Sequence, residues 1–208
     1  MIKWLEDYWR ALVSEYTDDA LINSLWQDIK LHYTSKNRNY HNLSHLHNMF
    51  LQLEAFETKI EDLECLKFAI WYHDIIYKST NKDNEERSAT FAENALMLLN
   101  FDDSSVKKVK KLILSTKKHK LLLTENMDNA YLLDLDLSIL GADWEIYKLY
   151  IQNIRKEYKI YPNIIYKPGR KKVLQHFLER DSLYFTERFK TKFEKQARNN
   201  LNREIKML

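Results

Sequence analysis

The chain has 208 residues, 45% of them hydrophobic, which is enough for one full core and is near the upper limit for a single compact domain. Glycine and proline occur only twice each, so the backbone has few positions for the tight turns of a β-rich fold, and an all-α fold is predicted. The 33 basic and 30 acidic residues leave a net charge of +3, which does not favour nucleic acid as a partner.

Hydrophobic periodicity predicts about eight to ten helices in one domain over residues 1–208. Two amphipathic helices come first, with Thr17 or Asp18 as the cap of the second. The helices that follow are predicted at about 43–56, 60–77, from the cap at Asp83, from a cap at Asp103 or Ser104, at 131–140 and at 144–158.

Both prolines and the second glycine lie between Pro162 and Gly169, which predicts the main break in the chain and a loop that could cover a site. The last predicted helix carries apolar residues at intervals of four, from Phe189 to Ile205, and is expected to pack on the body of the domain.

Charged residues near the N-terminus, the lone Cys65 and the lack of a long apolar stretch predict a cytoplasmic protein with no membrane partner. Seven lysines fall between Lys107 and Lys120. Such a run is most often a solvated helix face, and the alternative is a funnel for an anionic substrate.

The stretch from Cys65 to Tyr77 is apolar around the whole helix circumference, which predicts a central, buried helix. His73 and Asp74 lie within it, where an uncompensated polar group costs several kcal/mol and an unpaired charge costs more. A divalent cation held by imidazole nitrogen and carboxylate oxygen would compensate both side chains, whereas a hydrogen-bond partner would be enough for a lone histidine.

Two further polar elements could share that site. His41 and His45 flank the start of the predicted third helix, and His45 can face the same interhelical space as the buried pair. Asp134 and Asp136 lie in another apolar run, where they point about 200° apart on a helix, so only one can comfortably face a metal. Two histidines and two carboxylates would suit manganese, iron, zinc, nickel or magnesium.

These motifs together resemble the HD superfamily of metal-dependent phosphohydrolases, in particular a bacterial branch of predicted HD phosphohydrolases. The matching segments, which span most of the chain, are Tyr40–His45, Trp71–Tyr77, Asp83–Ala89, Asp134–Gly141, Pro168–Arg170 and Ala197–Leu201. The resemblance implies an all-α, single-domain HD-type bundle whose metal-binding core lies at about 40–141, with the terminal helices packed on it. It also implies hydrolysis of a phosphate ester, from a nucleotide or another small phosphorylated metabolite, by a metal-activated water.

The resemblance implies that His45, His73, Asp74 and Asp136 hold one divalent ion, with Asp134 as the alternative to Asp136. Asp74 would also orient the attacking water. His41 is similar to the histidine that protonates the leaving group in cyclic-nucleotide phosphodiesterases, which makes it the candidate general acid.

The chain lacks the pair of histidines that binuclear HD members carry between the second and third ligand motifs, so one tight metal site is expected. A second ion would need help from Glu85, Glu86 or His119. Weaker substrate-binding candidates, each of which could instead be solvated or packed, are Tyr40, Glu85, Glu86, Arg87, His119 and Arg170.

Two other classes of function stay open at this point. One is a non-catalytic module that binds a nucleotide or a metal, and the other is an iron-dependent oxygenase of the HD type, which would need two iron ions. The aromatic-rich terminal helices could also form the surface of a homodimer.

Overall fold

The computed structural model describes all 208 residues and contains ten α-helices, two 3-10 helices and no β-strand. The α-helices are α1 Ile2–Val13, α2 Asp19–Tyr33, α3 Leu43–Leu53, α4 Leu63–Tyr72, α5 Asn84–Leu98, α6 Asp103–Thr116, α7 Asp128–Leu137, α8 Trp144–Glu157, α9 Asn163–Leu178 and α10 Glu187–Met207. The 3-10 helices are Glu57–Lys59 and Ser138–Gly141. The predicted all-α class is therefore confirmed. None of the helices combines the length and the hydropathy that a membrane crossing requires.

Side-chain caps fix where several helices begin. Asp18 caps α2, as predicted, by accepting a hydrogen bond from a first-turn N–H. The cap of α6 is Asp102, whose carboxylate accepts from the N–H groups of Ser104 at 2.9 Å and Ser105 at 3.1 Å. The prediction of Asp103 or Ser104 was one or two residues late, because both of those residues already lie inside the helix.

Two compact units make up the chain, Met1–Leu132 and Leu133–Leu208. In the first unit, α4 is the central helix, with seven of its ten residues buried, which confirms the prediction from its all-round apolar surface. The Trp71 ring packs edge-on against Trp9 and Trp26, with ring centroids 5.6 and 6.1 Å apart. The predicted single domain over residues 1–208 stays a prediction.

In the second unit, α10 packs on the 3-10 helix Ser138–Gly141. The Asn200 side-chain amide donates to the carbonyls of Leu140 at 2.8 Å and Ala142 at 2.7 Å. A Cβ atom at Gly141 would lie only 2.5 Å from the Phe193 Cβ, so the close approach of α10 requires glycine at this position. Phe189, Ala197 and Leu201 of the predicted apolar stripe are buried, and the packing of the last helix on the body of the domain stays a prediction.

The fourth helix ends earlier than the predicted Tyr77, because the last helical residue is Tyr72 and His73 is the C-cap. Carbonyl groups just beyond the end, those of Asp74 and Ile75, accept hydrogen bonds from the Arg38 side chain rather than from helical N–H groups. The histidine and aspartate therefore stand at a helix end and in the turn that follows it.

The predicted break between Pro162 and Gly169 is wrong, since α9 runs through most of this segment. Pro162 occupies the N-cap, where a missing N–H costs nothing, and Pro168 is accommodated inside the helix. The turn before α9 is held by Arg155, whose guanidinium donates to the carbonyls of Tyr158 at 2.9 Å and Tyr161 at 3.1 Å. No loop that could cover a site exists here.

Candidate metal centre

His73 is held in one tautomer by its position at the end of α4. Its Nδ1 lies 2.9 Å from the carbonyl oxygen of Ile70. A carbonyl can only accept, so Nδ1 carries the proton and Nε2 presents a lone pair. The side chain is 1% exposed. A backbone carbonyl on one ring nitrogen is a common arrangement for a histidine whose other nitrogen binds a metal.

The Nε2 atom of His45 faces the Nε2 atom of His73. Asn42 caps α3 by accepting from the Ser44 N–H at 2.8 Å, and His45 is the next residue, pointing into the interior. The Nε2 atoms of His45 and His73 are 3.2 Å apart. Two imidazoles bound to one tetrahedral ion, with bonds of about 2.05 Å, would place their nitrogens about 3.3 Å apart. The spacing of this pair therefore fits two ligands of one cation.

Asp136, near the C-terminal end of α7, completes a group of three. His45, His73 and Asp136 each offer one ligand atom, and these atoms all lie within 4.8 Å of one another. Both histidines are buried and the aspartate is half-buried. Two imidazole nitrogens and one carboxylate oxygen form a mixed set that suits divalent zinc, manganese, iron or nickel, so this group could hold a metal ion.

Asp74 lies beside the histidine pair but is not a member of the three-residue group. Its Oδ2 is 3.3 Å from Nε2 of His73 and 4.0 Å from Nε2 of His41. The Asp74 side chain is 15% exposed. This carboxylate therefore lies beside His73 and is partly open to solvent, and its role as a fourth ligand stays a prediction.

Arg38 fixes the turn that carries Asp74, and no sequence pattern indicated this role. Its guanidinium donates to the carbonyl oxygens of His41 at 3.1 Å, Asp74 at 2.5 Å and Ile75 at 2.6 Å. It also lies 4.9 Å from the centre of the Tyr33 ring. One buried cation thus ties the loop before α3 to the turn after α4.

Two side chains on the first turns of α5 bind the backbone segment that follows Ile75. The Asn84 side chain accepts from the Lys78 N–H and donates to the Lys78 carbonyl, both at 3.0 Å. The Ser88 hydroxyl bonds in the same two-way manner to the backbone of Ile76, at 3.1 and 3.2 Å. Residues four apart share a helix face, so the spacing of Asn84 and Ser88 was the available sequence signal.

His41, the candidate general acid, is held against an aromatic ring. It stacks on Tyr77, with ring centroids 3.9 Å apart and planes 25° from parallel. The Tyr40 ring packs against His41 and His45, at centroid distances of 4.9 and 5.0 Å. Tyr40 and His41 are both only half-buried, so these rings line the accessible side of the histidine pair.

Glu85 and Glu86 have different environments despite being neighbours. Burial, followed by the charge of Asp74, raises the pKa of Glu85 above its ordinary value. Glu86 is exposed and forms an ion pair with Lys117, and this hydrogen bond lowers the pKa of Glu86. Arg87 is exposed. Glu85 therefore lies within electrostatic reach of Asp74.

The Asp134 carboxylate has its hydrogen-bond partners in the two residues that lead into α10. Its carboxylate accepts from the N–H groups of Phe185 at 2.7 Å and Thr186 at 2.8 Å, and from the Thr186 hydroxyl at 2.6 Å. The side chain is fully buried, and this burial raises the pKa of Asp134 to about 6. Asp134 therefore anchors the start of α10, whereas Asp136 belongs to the metal-binding group.

Arg170, a candidate for phosphate binding, already has a carboxylate partner. Its guanidinium donates to the two oxygens of Glu204 at 2.7 and 3.0 Å, and also to the Tyr150 hydroxyl at 3.3 Å. Tyr147 donates to the same carboxylate at 2.5 Å. The Arg170 charge is thus compensated inside the second unit. The sequence could not show this pairing, because the two residues are 34 positions apart.

No protein-family model matches this sequence, and no curated protein or solved structure is significantly similar to it.

Proposed function

We propose that this chain is a metal-dependent phosphohydrolase that cleaves the phosphate ester of a nucleotide or another small phosphorylated metabolite. The observation that carries the proposal is the pair of buried imidazole nitrogens 3.2 Å apart, with the Asp136 carboxylate in the same group. The resemblance of the sequence motifs to the HD superfamily supports this reaction class, because these residues occupy the ligand positions of that pattern.

The proposed chemistry divides between the metal and the side chains around it. A divalent ion in such a site supplies an activated water and neutralises charge on a phosphoryl oxygen. His45 and His73 would hold the ion from the buried side, with Asp136 as the third ligand. Asp74 lies within reach of His73 and of solvent, so it would orient the attacking water.

His41 would deliver a proton to the departing alkoxide. Its ring is fixed by the Tyr77 stack and lies on the accessible side of the site, with Nε2 4.0 Å from the Asp74 carboxylate. An imidazole titrates near neutral pH, which suits this exchange of a proton. Tyr40, packed against the same ring, would line the entrance for a base or another flat group.

A phosphatase and phosphodiesterase panel with added manganese tests the proposal. We expect phosphate release that His73→Gln abolishes, while His41→Gln lowers kcat and leaves metal affinity unchanged. His47→Gln, two residues from His45 on α3 and half-buried against Trp4, is the matched control and should retain activity. Tight metal binding with no turnover of any substrate would contradict the proposed hydrolase activity and favour a non-catalytic binding module.

A further inference from the structure

The turn between α8 and α9 exposes three isoleucines. Their exposed fractions are 67% for Ile160, 84% for Ile164 and 58% for Ile165. Ile160 lies in the turn itself and the other two lie in the first turn of α9, so all three belong to one short segment. Single exposed apolar residues are common on protein surfaces, whereas a group of them at one place is typical of a surface that binds a partner.

The way α9 packs explains why the chain itself leaves these side chains open. Tyr166 and Leu174 are the buried residues of this helix, and Arg170 between them is bonded to α10. These three positions are four residues apart and share one face. At 100° per residue, Ile164 and Ile165 point about 120° and 140° away from Arg170. The isoleucines therefore lie on the face of α9 that is turned to solvent.

Arg155 holds the turn in one shape. Its guanidinium donates to the carbonyls of Tyr158 and Tyr161 and to the Asn163 side-chain oxygen, the last at 2.9 Å. It also lies 4.6 Å from the centre of the Tyr166 ring. A surface that is already ordered loses little conformational freedom when it binds a partner. The isoleucines are thus presented by a fixed segment of backbone.

The charge around the isoleucines is basic only. No aspartate or glutamate occurs between residues 158 and 178, and the preceding Glu157 is buried. Five exposed lysines lie on either side of the isoleucines, namely Lys156, Lys159, Lys167, Lys171 and Lys172. Lys156 donates to the side-chain oxygen of Asn153 at 3.4 Å, and none of the five pairs with a carboxylate. The positive charge at this turn is therefore not neutralised by the chain, and it favours a negatively charged partner.

Exposed isoleucines among such lysines match the surface of an anionic bilayer. Apolar side chains can enter the boundary between headgroups and acyl chains, while lysines meet the negative charge of the headgroups. Ile164 and Ile165 point about 100° apart, so an acidic protein partner would need a separate pocket for each of them. The fluid boundary of a bilayer adapts to both directions, which favours lipid over protein.

We propose that the turn between α8 and α9, with its three isoleucines and the five lysines around them, binds the surface of membranes that contain anionic phospholipid. Such contact departs from the sequence-based expectation of no membrane partner, but it requires no helix that spans the bilayer. It is also independent of the proposed hydrolase activity, since none of these side chains belongs to the candidate metal centre.

Cosedimentation of the full chain with phospholipid vesicles tests the proposal. Vesicles of phosphatidylcholine with about 30% phosphatidylserine should bind the chain at least about tenfold more tightly than vesicles of phosphatidylcholine alone. Raising the salt concentration from about 0.1 to 0.5 M should weaken this binding severalfold, because salt screens the headgroup charge. Equal binding to both kinds of vesicle, or no binding at about 1 mM lipid, would overturn the proposal.

A pair of apolar variants tests the isoleucines. Ile164→Gln/Ile165→Gln should weaken binding to the anionic vesicles about tenfold, because two apolar side chains no longer enter the bilayer. Met97→Gln/Leu98→Gln is the matched control, since these neighbours at the end of α5 are 64% and 57% exposed and are followed by the acidic Asp102. The control should change binding less than about twofold, with circular dichroism showing an intact fold in each variant. Equal losses in both variants would refute the role of the isoleucines.

A pair of charge variants tests the lysines. Lys171→Gln/Lys172→Gln should weaken binding to the anionic vesicles about tenfold. Lys107→Gln/Lys111→Gln, which replaces two exposed lysines of α6, should change it less than about twofold. Equal effects of the two variants would contradict the proposed surface. Retention of the chain on immobilised polyglutamate, with no binding to either kind of vesicle, would overturn the assignment to lipid and indicate an acidic protein partner.

Discussion

Replacement of Arg38 by methionine should destabilise the protein and weaken its metal site together. The guanidinium is the single group that joins three backbone carbonyls from the loop before α3 and the turn after α4. Methionine keeps the apolar stem and removes all of the donors. The turn that carries Asp74 would then lose its attachment to the loop before α3.

The expected loss follows from which carbonyls water can reach. His41 and Asp74 are half-buried, so water can replace much of what their carbonyls lose. Ile75 is fully buried, and a buried acceptor without a partner costs about 1 to 3 kcal/mol. The contact with the Tyr33 ring adds about 1 kcal/mol. We therefore expect the free energy of unfolding to fall by about 3 kcal/mol.

Urea unfolding, followed by circular dichroism, measures this loss. Arg38→Lys keeps the positive charge but not the branched donor geometry of the guanidinium, so its free energy of unfolding should fall by about half as much. Arg10→Met is the matched control, since Arg10 bonds to the exposed Asp19 and to Asn23 at the surface and should lose less than about 1 kcal/mol. A manganese titration should show affinity for Arg38→Met reduced about tenfold. Stability and metal affinity equal to those of the Arg10 control would refute the proposed role of Arg38.

Three further predictions concern other parts of the fold. Asp134→Ala should cost about 3 kcal/mol in urea unfolding, because three donors lose their acceptor; a loss under about 1 kcal/mol would contradict the anchoring role. Gly141→Ala should cost about 1 to 3 kcal/mol, since the new methyl group would overlap Phe193, and an unchanged melting temperature would show that α10 can move away. Burial opposes ionisation of Glu57, but hydrogen bonds from Lys67 and Tyr8 outweigh it and lower the pKa of this carboxyl below 4.5. The ionised Glu57 carboxylate therefore stabilises the fold at neutral pH, and this stabilisation is lost as the pH falls through the lowered pKa. Glu57→Gln should then reduce the difference in unfolding free energy between neutral and acidic pH. An unchanged difference would argue against the ion pair with Lys67.

The parts of the fold that sequence reasoning predicted depend on local pattern. The scarcity of glycine and proline indicated helices, and the unbroken apolar surface of α4 indicated a buried central helix. The parts that it missed depend on partners distant in sequence. The carbonyls after Tyr72 turn to Arg38 instead of continuing the helix, and Arg155 holds the turn from which α9 runs through Pro168.

The candidate site likewise has features that local sequence pattern predicted and features that depend on residues distant in sequence. Helical geometry showed that Asp134 and Asp136 cannot both face one point, and the separate partners of Asp134 agree with that expectation. Helical placement predicted that His45 and His73 can face the same interhelical space, but their approach to 3.2 Å depends on packing between residues 28 positions apart and could not be derived from the sequence. Arg38 could not be predicted, because a buried arginine and a solvated one look alike in a polar segment.

Calorimetric titration of manganese into the wild type and three histidine variants tests the metal centre itself. The wild type should bind one divalent ion per chain, and His45→Gln and His73→Gln should each weaken binding by at least about 100-fold while circular dichroism shows an intact fold. His47→Gln should bind as the wild type does. Equal affinity in all four proteins would contradict the assignment of the ion to the imidazole pair.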